Sequence, residues 1–202
     1  MHIVDKLYLF PILATILPFR TYFYNIQTQI HDIVTSLSVI SERSLANFEQ
    51  NERFKDYLKN FENSILDQQV QQLNSEISFL IDCQQCGNCC KSLMIVVTDV
   101  EADCVSKALK TSRTDFDQQY LEKGAHGLML INHMPCTFLK NNSCSIYENR
   151  FEGCREFPAL HLPDFNKRLF THFMHYNRCP IIFNVIERLK LELNFENCNE
   201  LL

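Results

Sequence analysis

Apolar side chains recur at steps of three and four through much of the first 80 residues. One series is Ile26, Ile30, Ile33, Leu37 and Ile40; a second is Phe54, Leu58, Phe61 and Ile65; a third is Leu66, Val70, Leu73, Ile77 and Leu80. Steps of that size set each series on one face of a helix. Neither proline nor glycine occurs between Pro18 and Gly87, so helix breakers are missing from the whole stretch. The pattern falters over the polar residues Ser41 to Arg53. A turn or kink is expected there, with two long helices packed against each other as a hairpin. Their stripes are read as buried within the fold, the usual fate of an amphipathic face. A partner-binding or dimer surface on these helices is the alternative.

From Ile81 the pattern changes. Leu93 to Val97 is a short run rich in β-branched residues and predicts a strand. Thr98 or Asp99 is placed to cap a helix reaching about Lys110, with Glu101 in its first turn, and Thr114 to cap another through about Glu122. Gly124 to Pro163 is dense in cysteine, proline, asparagine and glycine, which predicts turns and short strands. Pro180 stands in the first turn of a final helix, Ile181 to Leu193, apolar at Ile182, Val185, Ile186 and Leu189. The expected fold is mainly α: a long N-terminal helical hairpin in segment 1–80 and an irregular cysteine-rich domain with short strands in 81–202.

Composition narrows the function more by exclusion than by suggestion. The chain has 202 residues, 21% of them charged, and a formal net charge of −5. Nothing in it resembles the basic surface that nucleic acid or an anionic membrane requires. Its four glycines are not spaced as a dinucleotide fingerprint or a phosphate-binding loop, and neither G-x-S-x-G nor H-E-x-x-H occurs. Leu7 to Phe19 is apolar but interrupted by Pro11 and Pro18, and it is shorter than the roughly 20 residues of a spanning helix. Asp5 precedes it and no small-x-small cleavage site follows, so it is read as a packed segment, with no membrane span, in a cytoplasmic protein.

Ten cysteines are the unusual feature. In a reducing compartment, clustered cysteines point to metal or redox chemistry rather than disulfides. Cys83, Cys86, Cys89 and Cys90 form a C-x2-C-x2-C-C run. Two-residue gaps let successive thiolates turn toward one centre, and Gly87 permits the tight backbone this needs. The first three also match the opening ligands of bacterial ferredoxin-type clusters. Side chains of adjacent cysteines diverge, so Cys89 and Cys90 suggest two centres or one spare thiol. Cys136, Cys144 and Cys154 follow in turn-rich sequence, and Cys179 precedes Pro180 as cluster ligands sometimes do. Together these are eight cysteines, the number for two four-thiolate sites. Cys104 is expected as a small buried residue of a helix and Cys198 as a free thiol of the tail. His172 and His175 have metal-ligand spacing, but the cysteines suffice without them; Met129, Met134 and Met174 are expected in the core.

Cys83–Cys90, Pro135-Cys136-Thr137-Phe138-Leu139, Cys144-Ser145-Ile146-Tyr147-Glu148-Asn149-Arg150 and Cys154-Arg155-Glu156-Phe157-Pro158 occur in that order. In this the chain resembles the YkgJ-type cysteine-cluster family from about Cys83 to Pro180. Members are described as zinc- or iron-chelating and some as iron–sulfur proteins, and a similar pattern occurs in flagellin lysine methylases. Phe151 departs from the proline usual after the arginine, which touches turn rigidity rather than ligation. Arg150 and Arg155 are cations near thiolates, placed either to relieve their charge or to pair with Glu148, Glu152 or Glu156. Tyr147, Phe138 and Phe157 are expected as an apolar shell. The expectation is a metal-binding protein with one or two thiolate-rich centres, an iron–sulfur cluster being favoured on the C-x2-C-x2-C run and the Cys-Pro ending. It would serve electron transfer, sensing or structure. Structural zinc is the alternative. A protein-modifying enzyme related to the methylases is a further one, although no nucleotide or S-adenosylmethionine motif is present. An extracellular disulfide-stapled protein fits adjacent cysteines poorly.

Overall fold

The computed structural model describes residues 33–195, and the fold is mainly α with only short strands. The helical part comprises α1 (Leu37–Ala46), α2 (Phe48–Leu58) and α3 (Asn63–Phe79). Where the periodicity predicts two long helices, residues 37–79 carry three. The first break is at Asn47, inside the stretch where the pattern falters, and the Asn47 side chain donates to Tyr176 Oη and Glu187 Oε2. The second, at residues 59–62, cuts the Phe54 to Ile65 series, which leaves Ile65 exposed. Ile26 and Ile30, the apolar segment Leu7–Phe19 and Cys198 lie outside the described residues.

The site-bearing part begins at α4 (Cys83–Cys86), a single turn ended by Gly87 in the left-handed region. A 3-10 turn, Cys89–Lys91, follows. Then come β1 (Val96–Val97), α5 (Asp99–Ala108), α6 (Arg113–Tyr120), β2 (Leu121–Lys123) and β3 (Met129–Ile131). These strands form an antiparallel sheet in the order β1-β3-β2. β4 (Leu139–Lys140) and β5 (Ser143–Cys144) form a hairpin. Its two turn residues, Asn141 and Asn142, both have positive φ, as a type I′ turn requires. The chain ends in α7 (Glu152–Glu156), α8 (Leu169–Met174) and α9 (Pro180–Glu192).

Several boundaries differ from expectation. Thr98 caps α5 in a full capping box with Glu101. The cap of α6 is Ser112, not Thr114: Ser112 Oγ accepts the Asp115 N–H, and the helix stops at Tyr120 because Leu121 enters the sheet. Asp99 and Asp103 do more than sit at the surface; with Asp117 they surround Arg113, locking α5 to α6.

Two apolar cores result. In the first, α9 lies along α3, joining Leu66, Val70, Leu73 and Ile77 to Ile182, Val185, Ile186 and Leu189. Each such fully buried side chain contributes about 1.5–3 kcal/mol. Asn184 of α9 clamps the chain before α1, accepting from Val34 N–H at 2.9 Å and donating to Val34 C=O at 2.8 Å. Buried Lys190 is satisfied by Glu187 and Gln50. The second core is Val97, Ala102, Val105, Phe116, Ile131 and Phe151 with their neighbours between sheet and helices. The cysteine motifs fall between these cores. No helix among the described residues is long and apolar enough to cross a membrane.

Candidate metal centre

Local sequence chemistry explains how α4 presents its sulfurs. Asp82 caps the turn by accepting the Gln84 N–H, and Gly87, at φ +56°, lets the chain reverse after it. A Cβ at Gly87 would stand 2.6 Å from Asn142 O and 3.2 Å from Leu139 Cδ1. Glycine is therefore what lets the first motif seat directly against the β4–β5 hairpin that carries Cys144. Asn88 Nδ2 donates to Arg178 C=O at 2.7 Å, tying the same motif to Cys179 at the head of α9. Cys136 N–H donates to Cys90 C=O at 2.8 Å, bringing the second cysteine-bearing stretch to the first. α7, which carries Cys154, is held by Glu101: one carboxylate oxygen completes the α5 cap while the other accepts Glu152 N–H at 2.6 Å.

These ties bring together cysteines from five separate stretches. Cys83, Cys86, Cys89, Cys154 and Cys179 line one cavity of about 60 Å³, walled also by apolar groups such as Ile81, Leu93, Phe157 and Ile181 and by Arg178. At ~10–15 Å³ per water it has room for roughly four to six. Cys136, Cys144 and Cys154 pack against the second core. Cys104 stands apart on α5 and is exposed, contrary to expectation, because it lies on the outward face of that helix. All nine described cysteines are free thiols. Among the described residues no three histidine, cysteine, aspartate or glutamate side chains close on a single ion position. The sulfurs are gathered, and a bound metal would draw them inward, so that binding and local ordering are coupled.

The electrostatics are those of thiols assembled in a partly dry place. Burial pushes the Cys154 and Cys179 thiols up to about 12, with neighbouring cysteines adding to the rise. Burial also raises Cys83, Cys136 and Cys144. Cys89 moves the other way because the Cys90 thiol donates a hydrogen bond to it, and Cys90 rises in consequence. Opposing the burial, backbone N–H groups face several sulfurs: Phe138 and Leu139 toward Cys136, Ile146 toward Cys144, and Ile181 and Ile182 toward Cys179. Donors of this kind favour the thiolate that a metal needs. Arg150 works in the same direction on Cys83, Cys144 and Cys154.

Arg150 is held 3.9 Å above the Tyr147 ring and donates to Tyr147 C=O, while Arg155 donates to Arg150 C=O. Neither arginine forms an ion pair with Glu148, Glu152 or Glu156 among the described residues. Phe157 lines the cavity, and Phe138 belongs to the second core. His172 stacks on Phe165 and His175 meets the edge of Phe157; neither lines the cysteine cavity. Met134 and Met174 are exposed rather than in the core. Sequence reading missed Asn88 and the second role of Glu101. The capping-box pattern was a signal for the first role of Glu101 only, since its bond to Glu152 spans 51 residues.

Residues 82–179, just under half the chain, match the model of the CxxCxxCC family, described as a "putative zinc- or iron-chelating domain". No curated protein and no solved structure matches the chain.

Proposed function

We propose that this chain, a member of the CxxCxxCC family through residues 82–179, binds its metal through thiolates of Cys83, Cys86, Cys89, Cys90, Cys136, Cys144, Cys154 and Cys179, and that the metal is iron in an iron–sulfur cluster. The observation that carries this reading is the convergence of five cysteine-bearing stretches with backbone N–H groups facing their sulfurs. Thiolate sulfur is the donor that iron–sulfur clusters and structural zinc both take. Iron–sulfur is favoured by the C-x2-C-x2-C run and by Cys179-Pro180.

When bound, a cluster supplies one-electron chemistry. The residues of this chain set its surroundings. The apolar walls of Ile81, Leu93 and Phe157 limit water at the sulfurs, and the N–H donors with Arg150 offset the accumulated negative charge. These two influences oppose each other, since a drier site disfavours a more negative cluster and hydrogen bonds favour it. A cluster so placed would serve electron transfer, sensing or structure. Replacement of Cys86 by serine should remove most of the visible absorption of anaerobically purified protein. Cys104→Ser, on the exposed helix face, should leave it intact. A Cys86→Ser protein with an undiminished spectrum takes Cys86 out of the ligand set.

A further inference from the structure

Two neighbours along the chain, Cys89 and Cys90, belong to different surroundings. Toward the helical core, Cys83, Cys86, Cys89 and Cys179 line a single cavity. They come from α4, from the first residue of the 3-10 turn and from the head of α9, and the Asn88–Arg178 hydrogen bond holds these pieces together. Toward the sheet, Cys136, Cys144 and Cys154 pack on the second core beside Val97, Phe138 and Ile146, and none of the first four takes part in that packing. Cys90 is joined to this second group through its carbonyl, which accepts the Cys136 N–H. The β4–β5 hairpin sets Cys144 opposite Leu139, three residues beyond Cys136. Cys154 stands at the boundary, since it also reaches the cavity. Its packing decides its membership: with Cys136 and Cys144 it lies against the second core, where none of Cys83, Cys86, Cys89 and Cys179 does.

We infer that the eight cysteines form two separate four-sulfur metal sites, one of Cys83, Cys86, Cys89 and Cys179 and one of Cys90, Cys136, Cys144 and Cys154. The inference rests on the thiolate reading above and divides its ligands. Chain geometry makes the division natural. The Cys89 and Cys90 thiols meet in a hydrogen bond, so the C-C step is where the two sites adjoin: Cys89 lines the cavity, and Cys90, which does not, is tied to the second group through its carbonyl. Each site draws on distant segments: the first joins residues 83–89 to 179, and the second joins residue 90 to the hairpin and α7. Metal at the first therefore pins α9 to the motif, and metal at the second pins the hairpin and α7 to it.

The test is titration of the reduced, metal-free full chain with Co²⁺ alone, reading sulfur-to-cobalt charge-transfer absorption. The wild-type chain should take up two equivalents. Cys83→Ser/Cys179→Ser and Cys136→Ser/Cys144→Ser should each retain one, and the crossed pair Cys179→Ser/Cys136→Ser should lose the ordered four-sulfur spectrum of both. A single equivalent in the wild-type chain overturns the division. So does loss of both sites in a within-site pair whose far-ultraviolet circular dichroism is unchanged, because that result describes one shared centre. Should a pair perturb the fold, the single variants Cys136→Ser and Cys179→Ser decide instead: each must leave one full-intensity site. Absence of any thiolate–cobalt absorption in the wild-type chain defeats the thiolate reading itself, an outcome distinct from failure of the division.

Discussion

Adding one methyl group at Gly87 tests whether the first cysteine motif is seated on the hairpin. Two costs are separable. Gly87 has φ +56°, where a residue with a Cβ loses about 1–2 kcal/mol. The new Cβ would also stand 2.6 Å from Asn142 O and 3.2 Å from Leu139 Cδ1. The first of these is a backbone atom in a tight turn and cannot rotate away, so overpacking adds about 1–3 kcal/mol. Gly87→Ala should therefore cost roughly 2–5 kcal/mol, a large part of the ~5–15 kcal/mol typical of a domain. Gly127 supplies the control. Its φ is +78°, yet a Cβ there would meet nothing within 4 Å, so Gly127→Ala should cost only the backbone part, about 1–2 kcal/mol. Urea unfolding of both variants, metal-free and under reductant, measures the difference directly. If Gly87→Ala is no more destabilising than Gly127→Ala, the motif and hairpin are not in the contact described, and the route by which Cys144 reaches the other sulfurs fails with it.

Two further perturbations probe residues that position the site or load the fold. Glu101→Ala removes the side-chain half of the α5 capping box and the acceptor of Glu152 N–H; a loss of about 1–3 kcal/mol is expected, together with weaker metal retention, measured by competition with a chelator. Unchanged retention would separate α7 positioning from the site. His172 is buried with both ring nitrogens unpartnered, and burial holds its pKa down at about 3 against an ordinary 6.5. The folded state thus favours the neutral ring, so the contribution of His172 is complete above about pH 6.5 and declines as pH falls toward 3, by at most about 1.4 kcal/mol per pH unit. His172→Phe, stacked on Phe165, should flatten that acid decline in melts between pH 7 and 4; identical pH dependence in the two proteins would contradict this account.

How much the sequence reveals depends on the range of the interaction. The apolar series Leu66, Val70, Leu73 and Ile77 is local and periodic, and all four residues are buried. The same holds for the final helix, whose start at Pro180 follows from proline's fixed φ and missing N–H. The break at residues 59–62 was not legible, because the spacing of Phe54, Leu58, Phe61 and Ile65 continues a helical pattern through it. Ser112 displaced Thr114 as the cap since both are hydroxyl residues and only the bond that Ser112 accepts from Asp115 N–H distinguishes them; the far end of the helix is set by Leu121 entering the sheet. Cys104 was misjudged for a related reason: helix position is readable, but which face turns inward depends on α6 and the Arg113 cluster. At the site, the gathering of cysteine segments depends on Asn88–Arg178, Cys136–Cys90 and Glu101–Glu152 contacts. Such bonds join residues 46 to 90 positions apart and have no periodic signature. The Asn141-Asn142 turn, by contrast, could have been read as a type I′ hairpin from the sequence.

The decisive measurement is iron, zinc and acid-labile sulfide per chain, with a visible spectrum, on the full chain purified without air. The prediction is iron with matching sulfide and a broad visible absorption. Zinc without sulfide would keep the thiolate centre and overturn the iron–sulfur reading. A colourless chain free of metal, its cysteines all titrating as accessible thiols, would contradict the central claim.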